Sequence, residues 1–550
     1  CRPGAILASA GSGAAPRSST RPQTGPARSP GAGPTCGHRA TRLQNERMPK
    51  VFLDLYIYIY IYIKITYFNL ISRNLLNFIL IDASLSPAQI TAMGISTQRS
   101  TFITWSRETG QPFHRFITWK DLRADKLVKQ WNESYTWKVK VLVYVFTSSI
   151  RLLQTTLRLY WALLNVPALK QAVQKNDAMF GTLDTWLLYK LTGSQIHMSD
   201  VSSASATGFY DPFTMQWAGW ALSIFGIPMA TLPTVVDTAG EHFTSTAKEI
   251  WGHPIPIRSS DQTASMWGSC CFEVGDVKLT MGTGTFFNIN TGRSPHASVS
   301  GLYPVVGWRL GDELVFSAEG ANNDTATIIK WAQNLGLFVN PEDTAEIAMS
   351  VPDSDGVFFI PAFSGLGPPY NDSTAASGFV GMKPSTTKAH LVRAVLESLA
   401  FRTAQLYSCV RSETTHTFHT IRLDGGVSNN DFIMQLIADL TGLRVERPVQ
   451  VEMSSLGCAH IVGLHLGIFK SKEELKSLRK IGSVFTPRPN VKKSYDVTIA
   501  RWEDAVKRMC GWYVENRSSQ SVNTVSDSSN TVTPQNSFKI NGKKNGRISK

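Results

Sequence analysis

From about residue 86, apolar positions follow two spacings that interleave along the chain. In His390–Cys409 leucine and valine recur every three or four residues, which predicts a long helix with one apolar face. In Asp276–Asn290 two short runs rich in apolar and β-branched residues flank a Gly-Thr-Gly turn, which predicts two adjacent strands. Strands and helices that alternate in this way are typical of an α/β fold.

Local end signals define further elements. Ser86-Pro87 is a helix start, with serine as N-cap and proline at the first helical position, and Gly94 would end that helix. Phe418–Leu423 predicts a short strand that ends in an Asp-Gly-Gly turn. Asp431–Thr441 predicts a helix that Gly442 terminates.

The two ends of the chain differ from this pattern. Residues 1–47 are rich in Gly, Ala, Pro, Arg and Ser, and the residues after Tyr513 turn to Ser, Asn, Thr and Lys; neither segment can bury a core, so we expect disorder. Residues 56–63 alternate Tyr and Ile. This repeat is either a translated TA repeat of the DNA, in a mistranslated extension, or a genuine strand or membrane segment.

A membrane span is not expected in this region. The apolar run between Asp54 and Lys64 has only about nine residues, whereas a transmembrane helix needs about 20. Asn69 and Arg73 interrupt the sequence that follows. A signal peptide is also a poor match, because the apolar run begins too far from the start.

Charge argues against a nucleic-acid partner. The net charge is +14, but residues 1–50 carry +7 and residues 517–550 carry +5, so the 466 residues between them carry about +2. A nearly neutral body has no basic recognition face. The seven cysteines are scattered and form no CxxC pair, which argues against a disulfide scaffold or a zinc site and fits a reducing, cytoplasmic compartment.

Four short segments could carry chemistry. Asp261-Gln262 follows an apolar, strand-like run, where a carboxylate could take a proton from an alcohol, although such a pair is often only a turn. Arg99 offers a planar fork of donors, although a lone arginine is often only a surface residue. The backbone of Gly282-Thr283-Gly284 could approach phosphates, or could simply close a hairpin. Asp424–Asn430 could seat a base or ribose, or form a tight strand-to-helix connection.

Together and in order, these segments resemble the FGGY carbohydrate kinases, and among them the glycerol kinases. The resemblance runs from about residue 88 to 513. Its most specific segments are GTLDTWLLYKLTG (181–193) and FIPAFSGLGPPYND (359–372), supported by GISTQR (94–99), SDQTASMWG (260–268), LTMGTGTFF (279–287), HLVRAVLESLAFRT (390–403) and DGGVSNN (424–430).

The resemblance implies two actin-like (ribonuclease H-like) ATPase domains with a cleft between them. Residues 1–85 would be a disordered or mistranslated extension, and residues 517–550 a disordered tail. The polyol-binding domain would span 86–268, incomplete at its N-terminus, and the nucleotide-binding domain 269–516. The implied reaction is transfer of the γ-phosphate of ATP, with Mg²⁺, to glycerol or a close polyol in a cytoplasmic enzyme that forms a homo-oligomer.

The resemblance also implies roles for individual residues. Asp261 would be the general base and a contact for the metal ion, and Arg99 and Gln262 would hold the polyol. Trp119 and Phe286 would line an apolar side of the pocket. The nucleotide would contact the following residues: Gly282, Thr283, Gly284, Lys330, Gly426 and Asn430.

Several positions depart from the family pattern. No segment before residue 88 corresponds to the family's first phosphate loop, of the type DxGTxxxR. Ser100 replaces a glutamate, Leu153 lies near the place of a polyol-binding tyrosine, and Ala326 and Lys330 replace glycine and glutamine. These departures predict weaker catalysis in this chain, and they leave open the alternative of a pseudokinase that acts by binding nucleotide or a protein partner.

Overall fold

The structure is a computed structural model that describes residues 86–133, 154–261 and 263–513. The expectations for residues 1–85 and 517–550, for Leu153 and for Gln262 lie outside these described residues. Within the described part, two lobes of mixed strands and helices follow one another along the chain, separated near residue 270.

The first lobe is built from short paired strands. β1 and β8 are parallel, β2 and β3 are antiparallel, β4 and β7 are parallel, and β5 and β6 form a hairpin. The strands are β1 (Met93–Ile95), β2 (Phe102–Ser106), β3 (Ala178–Thr182), β4 (Met198–Asp200), β5 (Tyr210–Asp211), β6 (Gln216–Trp217), β7 (Thr234–Val236) and β8 (Ile257–Ser260).

Eight helices accompany these strands among the described residues. They are α1 (Asp125–Glu133), α2 (Gln154–Asn165), α3 (Pro167–Gln174), α4 (Leu183–Leu191), α5 (Val201–Ser205), α6 (Gly219–Phe225), α7 (Lys248–Trp251) and α8 (Ala264–Gly268). Every residue of β2 and β3 is buried, so this strand pair forms part of the interior of the lobe.

The second lobe contains a seven-stranded sheet in the order β11-β12-β10-β9-β15-β16-β17. β9, β15 and β16 are parallel and the remaining pairs are antiparallel, while β13 and β14 pair separately. The strands are β9 (Val277–Met281), β10 (Thr285–Gly292), β11 (Tyr303–Leu310), β12 (Glu313–Asn322), β13 (Phe358–Ile360), β14 (Gly378–Val380), β15 (Thr420–Asp424), β16 (Arg444–Pro448) and β17 (Ile481–Phe485).

The helices of this lobe cover the sheet and extend its core. They are α9 (Ala326–Asn334), α10 (Thr344–Met349), α11 (Lys388–Glu413), α12 (Asp431–Thr441), α13 (Met453–His465), α14 (Lys472–Leu478) and α15 (Val491–Met509). One hydrophobic cluster joins β9, β10 and β15 to α11, α12 and α15, with residues such as Leu279, Phe287 and Leu399 almost completely buried.

Most local expectations are confirmed, and one is wrong. The two strands around the glycine turn, the strand before Asp424 and the helix ended by Gly442 are all present. The helix expected from Ser86 is only a three-residue 3-10 turn (Pro87–Gln89), and Gly94 lies inside β1 instead of ending a helix. Among the described helices, none is long and apolar enough to cross a bilayer.

Candidate active site

Asp261 lies at the carboxyl end of β8. Its backbone N–H donates to the carbonyl of Ile95, the last residue of the neighbouring parallel strand β1, over 2.9 Å. Carboxyl ends of parallel strands meet at one edge of a sheet. The loop after β1, which carries Arg99, therefore begins beside Asp261.

The two oxygens of the Asp261 carboxylate differ in the number of hydrogen bonds that they accept. Oδ1 accepts hydrogen bonds from Ser202 Oγ at 2.9 Å, from Thr263 N at 2.6 Å and from Thr263 Oγ1 at 2.7 Å. Oδ2 is buried and has no hydrogen-bond partner among the described residues. One oxygen is thus fixed by the fold, while the other is available to a ligand.

The environment of Asp261 favours its protonated form. Burial raises its pKa, and the nearby carboxylate of Asp200 raises it further, against the lowering effect of the bonds from Thr263 and Ser202. Burial likewise raises the pKa of Asp200, and the charge of Asp184 adds to that effect. A carboxylate whose pKa is raised in this way holds a proton more strongly, as a general base requires.

Arg99 extends towards the second lobe. Its Nη1 donates to Glu319 Oε2, in an ion pair whose side chains are only 10% and 12% exposed. Arg99 Nε is buried and has no hydrogen-bond partner among the described residues. The site therefore contains both an unpartnered donor, on Arg99, and an unpartnered acceptor, on Asp261.

Two aromatic residues, one from each lobe, are in contact with each other. The rings of Trp119 and Phe286 lie in edge-to-face contact, with their centroids 5.6 Å apart. Trp119 follows the buried strand β2 and its backbone N–H donates to Thr101 Oγ1, whereas Phe286 lies on β10 of the second lobe. Together the two rings form an apolar contact beside the ion pair.

Sequence reasoning missed Arg158, a buried residue of α2. Its guanidinium donates to the carbonyl of Thr118 and, over 3.2 Å, to the carbonyl of Ser100. These carbonyls belong to the residues immediately before Trp119 and immediately after Arg99. Arg158 thereby fixes the two segments that carry the expected polyol contacts, and burial lowers its pKa to about 10.

The glycine turn of the second lobe abuts the start of a helix. The carbonyls of Gly282 and Thr283 accept hydrogen bonds from the N–H groups of Ala326 and Thr325, at 3.1 Å each. Thr283 is exposed, and Gly284 is buried where a Cβ would lie 2.8 Å from the carbonyl oxygen of Asn322. The N-terminal end of α9, the positive end of its dipole, therefore faces this turn.

The second glycine turn comes close to the first. A Cβ on Gly425 would lie 2.6 Å from the carbonyl oxygen of Met281, so the two turns touch through their backbones. The next residue, Gly426, is exposed with open space around it. Both expected nucleotide segments, Gly282–Gly284 and Gly426–Asn430, are thus brought to one edge of the sheet.

Two other expected nucleotide residues already have partners. Asn430 Oδ1 accepts from Ile433 N as the N-cap of α12, and its Nδ2 donates to Thr344 Oγ1 at 2.9 Å. Lys330 is exposed on α9 and its Nζ donates to Gln333 Oε1 at 2.9 Å. No described contact ties Lys330 to the two glycine turns.

A buried ion pair next to the two glycine turns was also not predicted from the sequence. Lys278 Nζ lies 3.1 Å from Asp424 Oδ1 and donates to Ser265 Oγ at 2.7 Å. Burial raises the pKa of Asp424 although Lys278 lowers it, and burial followed by the charge of Asp424 raises the pKa of Glu452. The pair connects β9 and β15 to α8, the last helix of the first lobe.

No group of three or more His, Cys, Asp or Glu side chains in the described ranges could hold a metal ion. Mg²⁺ in phosphoryl transfer is usually held by one or two carboxylates together with substrate phosphates. The unpartnered Oδ2 of Asp261 is compatible with such a contact.

Comparison with known protein families shows which family the chain belongs to. The profile of the FGGY family of carbohydrate kinases matches residues 71–268 with its N-terminal domain and residues 277–465 with its C-terminal domain. The chain belongs to the FGGY family of carbohydrate kinases. The FGGY assignment derived from the sequence segments is thereby confirmed, and with it the assignment as a kinase.

Curated FGGY relatives cover most of the chain. It is 49% identical to glycerol kinase 5 of Danio rerio over 453 residues, which cover 78% of this chain and 85% of that protein. It is 48% identical to glycerol kinase 5 of Homo sapiens, with 78% and 84% covered. It is 36% identical to glycerol kinase 2 of Thermotoga maritima, with 78% and 87% covered.

Solved FGGY structures share the fold. A crystal structure of Plasmodium falciparum glycerol kinase with ADP superimposes with a TM-score of 0.70 at 30% identity, covering 80% of this chain and 88% of that one. Gluconate kinase from Lactobacillus acidophilus gives a TM-score of 0.67 at 19% identity, covering 81% and 90%. The expected pair of actin-like, ribonuclease H-like ATPase domains is confirmed.

Proposed function

We propose that this chain catalyses the ATP-dependent phosphorylation of glycerol, or of a close small polyol, to give the 3-phosphate. The observation that carries the proposal is a pair of buried atoms that have no hydrogen-bond partner among the described residues: Asp261 Oδ2, at the end of β8, and Arg99 Nε, in the loop that follows β1. A hydroxyl group is both donor and acceptor, so a polyol can satisfy both atoms at once. The relatives named glycerol kinase support this choice of acceptor.

In this proposal, Asp261 is the general base. Its fixed Oδ1 orients the carboxylate, and Oδ2 takes the proton of the attacking primary hydroxyl as the bond to the γ-phosphorus forms and the bond from that phosphorus to the bridging oxygen breaks, which releases ADP. Arg99 and Gln262 hold the other hydroxyls. The contact between Trp119 and Phe286 covers the carbon chain and excludes water.

The nucleotide lies along the second lobe in this proposal. Gly282, Thr283 and Gly284 receive the phosphates beside the N-terminus of α9, and Gly426 and Asn430 seat the ribose and adenine. Lys330 remains a proposed contact at the rim. Mg²⁺, when bound, neutralises charge on the transferring phosphate, with Asp261 as a protein contact.

We propose residues 86–268 as the polyol-binding domain and 269–516 as the nucleotide-binding domain of a cytoplasmic homo-oligomer. The free thiols at Cys270, Cys271, Cys409, Cys458 and Cys510 support a reducing compartment. No contact among the described residues favours the pseudokinase alternative, because the base and its bonds are all present there.

The test is direct formation of glycerol 3-phosphate from glycerol and MgATP by the full chain. Asp261→Asn keeps the shape of the side chain but removes the base, so we expect kcat to fall about 100- to 10,000-fold with ATP affinity retained. The matched control is Asp211→Asn, which removes a partly buried carboxylate of the same lobe from the β5–β6 hairpin and should leave kcat unchanged. Wild-type protein that binds ATP but forms no glycerol 3-phosphate would refute the proposal.

A further inference from the structure

The surface that the second lobe presents to Arg99 is one face of β10 and β12. These strands are antiparallel, with Asn288 opposite Glu319 and Phe286 opposite Ala321. Alternate residues of a strand point to the same face, so Phe286 and Asn288 share a face while Phe287, which is fully buried, points into the core. Glu319 therefore lies on the same face as Phe286.

Glu319 receives two hydrogen bonds on one oxygen. Its Oε2 accepts from Asn288 Nδ2, at 2.7 Å, and from Arg99 Nη1 of the first lobe. The Asn288 bond comes from the neighbouring strand and holds the carboxylate in place before any ligand is present. Glu319 is thus a fixed anion, and Arg99 is the side chain that it orients.

The residue after Arg99 cannot supply this anion. Ser100 has a left-handed backbone, with φ at 58°, and its Oγ donates to the carbonyl of Ala206 in the first lobe at 3.0 Å. Its own carbonyl accepts from Arg158. Ser100 is therefore committed to its own lobe, and among the described residues the carboxylate in contact with Arg99 comes from the opposite lobe.

We infer that Glu319 is a positioning residue for acceptor binding: it fixes the guanidinium of Arg99 across the cleft, so that Nε is directed to a polyol hydroxyl. The inference rests on the proposed function. It assigns the alignment of a first-lobe substrate contact to a second-lobe strand, β12, whose last residue, Asn322, lies beside the proposed phosphate turn. Asn288 supports this role by holding the carboxylate of Glu319.

The experiment compares steady-state kinetics of Glu319→Gln with wild type. The amide keeps the size of the side chain but loses the charge that orients Arg99, so KM for glycerol should rise about ten- to hundredfold. The KM for ATP should stay unchanged and kcat should change much less than KM. A merely structural role would lower the amount of active enzyme, and hence apparent kcat, without moving KM for glycerol.

A double-mutant cycle with Arg99→Gln tests whether Glu319 acts through Arg99. In the Arg99→Gln background, Glu319→Gln should cause no further rise in KM for glycerol. Glu313→Gln, which removes another ion-paired glutamate from β12, is the matched control and should leave KM for glycerol unchanged. Additive losses in the cycle, or a wild-type KM in Glu319→Gln, would overturn the inference. Failure of the proposed function would be seen separately, as absence of product with the wild-type protein.

Discussion

The pKa of Asp261 is raised by burial and by a neighbouring acid. Asp200 faces it from the start of α5, and Cys458 faces it from α13, where burial first, and then the charges of Asp261 and Asp200, raise the pKa of the thiol. As the proposed general base, Asp261 must be ionised to act, so its raised pKa predicts that kcat/KM increases with pH above the ordinary range of aspartate. In this proposal, the charge of Asp200 therefore helps to set the pH at which the enzyme becomes active.

Asp200→Asn should shift this pH dependence. Asparagine is as good an N-cap as aspartate, and its single Oδ1 can keep the bond from Ser203 N while the negative charge beside Asp261 is removed. The bond that Ser202 N donates to the second carboxylate oxygen is lost. The pKa of Asp261 should fall, and the acid limb of the profile of kcat/KM should move to lower pH. Profiles measured from pH 5 to pH 9 for wild type and variant test this; coincident acid limbs would contradict it.

The same shift has a consequence for stability. Because the folded pKa of Asp261 lies above its unfolded value, the folded state binds the extra proton, and stability falls as pH rises from about 4 towards the folded pKa. Asp261→Asn removes this loss. The free energy of unfolding of Asp261→Asn minus that of the wild type should therefore increase with pH across that window. Urea denaturation at several pH values measures this difference. A difference that does not change with pH would contradict the prediction.

At the scale of elements, the tightest contact lies between α8 and α13. A Cβ on Gly457 would lie 1.6 Å from the carbonyl oxygen of Ala264, and one on Gly268 would lie 2.1 Å from that of Met453. The two helices, one from each lobe, are therefore in direct backbone contact. No side chain larger than hydrogen fits without moving one helix against the other.

Gly457→Ala should separate these helices. Overpacking of this kind costs about 1–3 kcal/mol or more, and here it also displaces Cys458 and its neighbours from beside Asp261. We expect a lower Tm and a reduced kcat. Gly219→Ala is the control, because nothing lies within 4 Å of its Cβ, and it should leave both quantities nearly unchanged. Equal Tm values for the two variants would contradict the prediction.

Elements with local signals could be predicted from the sequence, whereas those defined by distant contacts could not. The helix Asp431–Thr441 begins and ends where predicted because its caps, Asn430 and Gly442, are adjacent in sequence. Gly94 was misread because its role is close packing of β1 against Cys458 and Val462, more than 300 positions away.

The residues of the candidate site also fall into two groups, those that have a local sequence signal and those that do not. Asp261, Arg99 and the glycine turns stand in recognisable segments, so they could be proposed from the sequence alone. Glu319 and Arg158 carry no such signal, because their importance comes from contacts with Arg99, Ser100 and Thr118 that only the folded chain creates.

At the scale of the molecule, contacts between the lobes surround the proposed substrates. Besides the pair of Arg99 with Glu319, Lys120 Nζ of the first lobe lies 3.3 Å from Asp324 Oδ1 of the second. If the proposed ligands bind on both sides of these contacts, each should stabilise the same arrangement of the two lobes. Glycerol and ADP should therefore stabilise the protein cooperatively.

Thermal denaturation tests this expectation. With each ligand at a fixed multiple of its Kd, the rise in Tm with both present should exceed the sum of the two separate rises. Glu319→Gln should reduce this excess, because it removes one connection between the lobes. Strictly additive rises in the wild-type protein would show that the two ligands bind independently.

The burial of Asp261 also bears on how an acceptor enters the proposed site. Only 1% of this residue is exposed and its Oδ2 is buried, so neither water nor a polyol reaches that oxygen unless neighbouring residues move. In the proposed mechanism, opening of the site therefore precedes binding of the acceptor, and reclosure around a polyol separates Asp261 from bulk water before phosphoryl transfer.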